Sequence, residues 1–311
     1  MIMNIRTALV GYTGFVGSNL CLSYHFDGLY NSENIEEAFG TFPDLLVYAG
    51  IRAEMFIANK YPEEDFELIL NAIENIRKIA PKNIVLISTI GVYASMSDGD
   101  ENTVINKETV LPYGRNRLYL EEWVIQNYSR SLIVRLPALW GKNIRKNFIF
   151  DMIKFIPVML KEAKFNELLA GTMYANDYYN QGNGFYRCIV DNALQLDKLK
   201  IFFREKKFSA LNFTDSRSQY QFFNLKYLWE IIIKALRMNI QLLTVTSEPV
   251  EASVLYQYIF QQSFVNEIYS NYPMQNLKSI YANEFGGNNG YLFTKDRLME
   301  EIKDFVKQNI R

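Results

Sequence analysis

Tyr113 and Arg117 stand four residues apart in the stretch YGRNRLYLE. The surrounding PYGRNRLYLEEWVIQNY predicts a helix, and residues four apart on a helix share a face. A cation beside a phenol favours the phenolate. Ser88 and Thr89 close an apolar run, NIVLIST, and supply hydroxyls that can hydrogen-bond the same phenol. Tyrosine, arginine and threonine together make a proton donor and acceptor for an alcohol or a ketone, with no need of histidine or metal. The plainer readings are that one of 21 tyrosines falls near an arginine by chance, and that a Ser-Thr pair caps the next turn.

A second constellation lies earlier. In ALVGYTGFVGSNL, Gly11, Gly14 and Gly17 are spaced G-x-x-G-x-x-G between an apolar run and a helical pattern. Gly11 permits a tight turn, Gly14 lets the backbone approach a pyrophosphate, and Gly17 lets the helix pack on the strand. The loop and the first helical turn, with Thr13, Phe15 and Val16, would offer N–H groups and a positive dipole end to phosphates. A structural turn is the alternative. Two more segments fall at predicted strand ends. Ala49-Gly50 offers small residues where a ribose can pass, and Asn31-Ser32 stand where an acid would bind the ribose hydroxyls of NAD.

These residues need elements to hold them. TALVGY, a short FDGLYN, DLLVYAG, NIVLIST and SLIVRLPALWG read as strands. TGFVGSNLCLSY, a short SENIEEAF capped by Ser32 or Asn34, PEEDFELILNAIENIRKIA and the Tyr113 segment read as helices. Continuous apolar strands alternating with helices predict an α/β fold with a doubly wound parallel sheet. Ligands bind beyond the carboxyl ends of such strands, where the residues above fall. IQLLTVTSEPV is expected to return a strand to that sheet.

Composition narrows the partners. The chain of 311 residues is 49% hydrophobic and carries 33 basic against 34 acidic residues, a net charge of -1. That balance calls for neither nucleic acid nor an anionic membrane. No apolar run reaches the length of a membrane span, and the N-terminus lacks the pattern of a signal peptide. Cys21 and Cys188 are far apart in sequence and flank no other metal-ligand type, which suits a reduced, cytoplasmic protein. With His25 as the single histidine, in a helix-to-strand connection, no metal site is expected.

Taken in order, G-x-x-G-x-x-G, S-T-x-x-V-Y near residue 90 and Y-G-x-x-[KR]-L-x-x-E near residue 113 resemble the extended short-chain dehydrogenase/reductases, the NAD-dependent epimerase/dehydratase group. LIVRLPALWG resembles that family's R-x-x-x-x-[YW]-G segment, with Pro137 placed at the cofactor. The likeness runs over roughly residues 5–145, and more weakly through RSQYQFFNLKYLWEII. It implies a Rossmann domain over 1–146, joined again by a strand and helix about 221–247, with a smaller substrate-binding portion over 147–311. It implies NAD or NADP and a nucleotide-linked sugar. By position, Tyr113 is the acid/base, Thr89 orients the substrate, and Arg117 stands where the family keeps a lysine that holds the nicotinamide ribose and depresses the tyrosine pKa. Ser88 falls among the cofactor contacts. Asn147 and Arg217 are the matching substrate contacts, and a homodimer through two helices, the Tyr113 helix a candidate, is also implied.

The chain departs from the family in four ways. The stretch before LLVYAG is short, with FDGLYNSENIEEAF merging what is usually two strand-helix units into one. Arg117 replaces lysine, and guanidinium is larger, planar and fork-like. Ile90-Gly91 follow Thr89 where sugar dehydratases place an Asp-Glu pair, which argues against a dehydratase. No acid ends the second strand, so NAD and NADP stay open. Epimerase and reductase need the same three groups. A cofactor-binding protein without turnover, a redox sensor or scaffold, is the alternative that Arg117 supports.

The second half carries fewer signals. GTMYANDYYNQGNGFY predicts a loop or hairpin, EFGGNNGY a turn, and KDRLMEEIKDFVKQ a final helix.

Overall fold

The computed structural model describes residues 5–182 and 184–310. The chain divides into two compact units. One takes the chain up to Ile144 with Gln219–Val250 and Met274–Leu298, and the other takes Arg145–Ser218, Glu251–Pro273 and the chain from Met299.

The first unit is built on a six-stranded sheet. Its strands are β1 (Thr7–Val10), β2 (Gly28–Tyr30), β3 (Leu45–Tyr48), β4 (Ile84–Thr89), β5 (Ser131–Leu136) and the strand Leu242–Thr244. The spatial order is Leu242–Thr244, β5, β4, β3, β1, β2, and every pairing is parallel. From β1 the chain moves outward to β2, then crosses back to β3 on the other side of β1. The order therefore reverses at β1 and β3, the place where such sheets bind ligands.

Apolar residues on both faces explain why the strands read as unbroken runs. Leu9, Val47, Val85 and Val134 face a cluster with Leu20 of α1 (Phe15–Ser23) and Leu228, Ile231 and Ile232 of the helix Leu228–Arg237. The alternate residues Ala8, Leu46, Ile84 and Ile133 face α3 (Pro62–Ile79) and α4 (Pro112–Asn127). A six-residue helix, α2 (Met55–Lys60), precedes α3. In α3, Pro62 takes the first position, acids fill the first turn and Arg77 and Lys78 the last, as the helix dipole favours. The core face of α3 runs Asp65, Ile69, Ala72, Ile73, Ile76 and Ile79. An acid heads an otherwise apolar stripe.

One local expectation differs. SENIEEAF forms a 3-10 turn over Ile35–Ala38, and neither Ser32 nor Asn34 caps it through a side chain. Asn34 Oδ1 instead accepts the backbone N–H of Asn31 at 2.8 Å. Four residues cannot complete an α-helical turn and its caps before Gly40 leaves in the left-handed region at φ 68°.

In the second unit, Asn147 caps α5 (Phe148–Ile153). Tyr178–Gly182 and Phe185–Cys188 form an antiparallel hairpin, to which Met159–Lys161 adds a third strand. The helices Glu162–Leu169 and Ala193–Glu205 carry Phe165, Leu168, Leu169, Leu199, Phe202 and Phe203 into the unit's own core.

Candidate active site

Gly11 follows β1 at the switch point, with φ 90°. Its N–H donates to the carbonyl of Tyr30, at the end of β2, at 2.7 Å. A Cβ there would lie 2.6 Å from the Ala49 carbonyl oxygen and 2.8 Å from Gly50 N. Gly11 thus lets the ends of β1, β2 and β3 close on one another, which puts Asn31, Ser32, Ala49 and Gly50 around one loop. At Gly17 a Cβ would lie 2.1 Å from the Gly11 carbonyl oxygen, so α1 packs directly on the loop. Gly14 is different. It is exposed, takes the N-cap position of α1 with φ −74°, and its Cβ would meet only the Gly11 oxygen, at 3.2 Å. No side chain caps α1, so the first-turn amides of Phe15 and Val16 stay unclaimed by a cap. A tight floor, an open Gly14 and an uncapped helix N-terminus fit a phosphate-bearing dinucleotide. Asn31 Oδ1 accepts the N–H of Glu33 at 2.8 Å, and Ser32 is exposed beside it.

Two strands away, β4 ends in Ser88 and Thr89. The Thr89 hydroxyl accepts the N–H of Gly91 at 3.0 Å, which caps the turn Ile90–Val92. It also lies close enough to the Tyr113 phenol to draw its pKa down. A Cβ on Gly91 would lie 3.1 Å from the Tyr113 ring and 3.4 Å from Thr89 Oγ1, so glycine leaves room for the two to meet. At Gly114 a Cβ would lie 1.9 Å from the Gly91 carbonyl oxygen, which seats the start of α4 on this turn. The cap and the catalytic reading of Thr89 thus coexist: one lone pair serves the turn, and the hydroxyl faces the phenol.

Arg117 lies over Tyr113, its guanidinium carbon 4.0 Å from the ring centre. Its Nη1 bonds Asp65 Oδ2 and the Tyr113 carbonyl, and Nη2 donates to the Arg52 carbonyl at 2.7 Å. Asn116 donates to the same Asp65 oxygen at 2.9 Å. The side chains of Arg117 and Asp65 are 5% and 7% exposed, a buried ion pair. Asn59 of α2 accepts the N–H of Tyr113 at 2.9 Å. Burial pushes the Tyr113 phenol above its ordinary pKa. Arg117 and the nearby Thr89 hydroxyl pull it down by less, and Asp65 pushes it up again. The expected depression by Arg117 is therefore present but outweighed.

Ser88 bonds Glu121 Oε1, and Arg135 holds both oxygens of Glu121, through Nε at 3.1 and 3.2 Å and Nη2 at 2.7 Å. Arg135 also lies 4.9 Å from the Tyr93 ring centre. Glu121 and Arg135 are the acid of Y-G-x-x-[KR]-L-x-x-E and the arginine of R-x-x-x-x-[YW]-G, so two motif positions separate in sequence close on each other. The hydroxyl of Ser88, expected at the cofactor, is committed to this pair. Pro137 is buried at the end of β5.

Asn147 and Arg217 belong to the second unit. The Asn147 side-chain oxygen Oδ1 accepts the N–H groups of Ile149 and Phe150. Arg217 grips Asp215 through Nε at 3.0 Å and Nη2 at 2.8 Å, Glu267 through Nη1 at 2.9 Å, and the Tyr269 carbonyl at 2.8 Å. Asp215 also accepts the N–H groups of Ile268 and Tyr269, so the pair clamps this segment. Neither contact is visible in the sequence. The partner of Arg117 did leave a signal: Asp65, an acid on the apolar stripe of α3.

Among the described residues no group of three or more His, Cys, Asp or Glu could hold a metal ion, and no helix is long and apolar enough to cross a membrane. Cys21 and Cys188 are both free, and His25 is exposed.

No curated protein matches the chain. Among solved structures it is similar to dTDP-4-dehydrorhamnose reductase from Yersinia enterocolitica, at 12% identity and TM-score 0.61, with 98% of this chain and 100% of that chain covered. It is similar to the same-named reductase from Bacillus anthracis, solved with NADP, at 15% identity and TM-score 0.58, covering 98% and 99%. It is also similar to UDP-N-acetylglucosamine 4-epimerase from Methanobrevibacter ruminantium, at 11% identity and TM-score 0.59, covering 98% and 97%. At such identities the likeness is one of fold, and the fold is the Rossmann-like one of these reductases and epimerases. Residues 24–178, which take in β4, Tyr113 and both motif partners Glu121 and Arg135, match a family directly. By that match and by its fold, the chain belongs to the NAD dependent epimerase/dehydratase family.

Proposed function

We propose that the protein is an NAD(P)-dependent oxidoreductase or epimerase acting on a nucleotide-linked sugar. The observation that carries this reading is the Tyr113 phenol set beside the Thr89 hydroxyl at the end of β4, with Gly91 leaving room between them. It shares the carboxyl edge of one parallel sheet with a glycine loop open at Gly14. The structural relatives named as sugar-nucleotide reductases and epimerases support the substrate class.

In this reading the loop Gly11–Gly17, with Thr13, Phe15 and Val16, holds the pyrophosphate. Asn31 and Ser32 receive the adenosine ribose, and Ala49, Gly50, Ser88 and Pro137 line the way to the nicotinamide. A bound nicotinamide supplies or accepts the hydride. Thr89 orients the reacting sugar oxygen, and Tyr113 gives it a proton or takes one. Arg117 supports the phenol from across its ring. The second unit, with Asn147 and Arg217, is assigned to substrate recognition. Free cysteines accord with a cytoplasmic location. Exposed Leu68, Leu70 and Tyr119 on α3 and α4 suit a homodimer through those helices.

The test is Tyr113→Phe, measured with a panel of sugar nucleotides and both cofactors. Cofactor affinity should stay near wild type while turnover falls about 10²–10⁴-fold, the weight of general acid–base catalysis. A loss of about twofold would remove Tyr113 from the mechanism. One observation favours the rival reading of a cofactor-binding sensor: Arg117 is engaged by Asp65. That reading predicts cofactor binding with no turnover on any sugar nucleotide.

A further inference from the structure

The charge that Arg117 brings to Tyr113 is met on the spot by an opposite one. Asp65 takes the guanidinium inside the protein, and Asn116 holds the same carboxylate oxygen. The charged and titratable groups around the phenol can be named element by element among the described residues. Its own helix, α4, brings Arg117, and α3 brings Asp65. β4 brings the neutral Thr89 hydroxyl, α2 the neutral Asn59 amide, and the chain at Arg52 a carbonyl. Around a ring that is 6% exposed, Arg117 draws the phenol toward ionisation and Asp65 works against it. Burial outweighs what remains of the cation's pull, so the phenol keeps its proton.

Which form the phenol rests in decides which direction the site serves. A reaction that begins by oxidising a sugar alcohol needs a phenolate to receive the hydroxyl proton. Reduction of a ketone needs the phenol's own proton. Resting on the function proposed above, we infer that Asp65 is a positioning residue that holds Arg117 across the Tyr113 ring and opposes its charge there, so that the buried site donates a proton to a keto sugar and reduces it. In that reduction the carbonyl carbon receives hydride from a reduced nicotinamide, which is thereby oxidised. The carbonyl oxygen receives the Tyr113 proton, the C=O π bond gives way to new C–H and O–H bonds, and solvent reprotonates the phenolate.

The test is a double-mutant cycle of Asp65→Asn, Arg117→Gln and the two together, with Tyr113→Phe as the spectral blank. Two readouts are taken from roughly neutral to alkaline pH. One is tyrosinate absorbance after subtraction of the blank. The other is the rate of reduction of a 4-keto sugar nucleotide with NADPH or NADH, against oxidation of the matching alcohol. Asp65→Asn should lower the pH of Tyr113 ionisation by about one unit and raise alcohol oxidation at neutral pH about tenfold. Arg117→Gln should move ionisation up by a similar step. The double variant should shift much less than either single one, because it removes two opposing charges together. Ionisation unmoved in Asp65→Asn, or shifted by about a unit in the double variant, overturns the inference. If Asp65→Asn does not fold, the uncharged double variant still decides. If wild type binds neither cofactor, the proposed function fails, and the absorbance cycle still reports whether Asp65 opposes Arg117.

Discussion

Gly14 and Gly17 lie three residues apart in one loop, and the structure assigns them opposite tasks that substitution by alanine can separate. At Gly17 the new Cβ would stand 2.1 Å from the Gly11 carbonyl oxygen and 2.8 Å from the Tyr12 Cα, both backbone. Real Cβ contacts essentially never fall below 3.0 Å. The helix must therefore retreat from the loop by about 1 Å, at a cost near the upper end for overpacking, about 3 kcal/mol. In a unit of this size that lowers the melting temperature by roughly 5–10 °C. At Gly14 the backbone is extended, with φ −74° and ψ 173°, so any residue can adopt it. The methyl would press only on the Gly11 oxygen, at 3.2 Å. Losing the N-cap preference of glycine over alanine costs at most about 1 kcal/mol. Yet the methyl would stand at an uncapped helix N-terminus, where a pyrophosphate must come close. Gly14→Ala should fold nearly as well as wild type and bind NADH or NADPH at least about tenfold more weakly, a loss of about 1.4 kcal/mol. Denaturant unfolding followed by fluorescence, and titration with each dinucleotide, measure the two quantities. The reasoning is refuted if Gly14→Ala binds as tightly as wild type, or if Gly17→Ala melts at the wild-type temperature.

Other expectations follow from the buried charges. Glu121→Gln leaves Arg135 without its partner inside the protein, where the two side chains are 1% and 5% exposed. It should cost about 3–5 kcal/mol in urea unfolding, whereas the paired replacement Glu121→Leu with Arg135→Met should cost much less. In the second unit, Arg217 first, and then the N–H groups around it, hold the Asp215 carboxyl well below the usual carboxylate range. A depressed folded-state pKa adds stability that is fully present above about pH 4, the unfolded value, and is lost as pH falls through the folded one. Asp215→Asn should therefore lose stability near neutral pH and show a flatter decline in acid, read by thermal melts across that range.

How much of this was legible beforehand depends on whether the cause was local. The strands TALV, LLVY and SLIVRL announced a sheet covered on both faces, because neighbouring residues that point opposite ways were mostly apolar. The helix at Tyr113 and the helix after Pro62 were written in periodicity, proline placement and end charges. The glycine spacing predicted a loop between strand and helix, because backbone approach leaves its requirement on single residues. The order of motifs identified the family, which the match over residues 24–178 bears out. SENIEEAF had helical composition but too few residues before Gly40, and it became a 3-10 turn.

What stayed hidden was pairing at long range. Tyr113 and Arg117 were visible together because they are one helical turn apart, but Asp65 reaches Arg117 from 52 positions away. That distant carboxylate changes what the local pair can do: burial outweighs the pull of Arg117 on the phenol, and Asp65 adds its push to that of burial. Glu121 and Arg135, known from sequence only as motif letters, meet because β5 returns beside α4. Arg217 looked available and is held from 50 and 52 positions away by Glu267 and the Tyr269 carbonyl. The physical reason is common to all three. Local geometry and hydrophobic period act over a few residues and can be read along the chain. The energy of a buried charge depends on which opposite charge folding brings within about 4 Å, and that is settled by the tertiary fold.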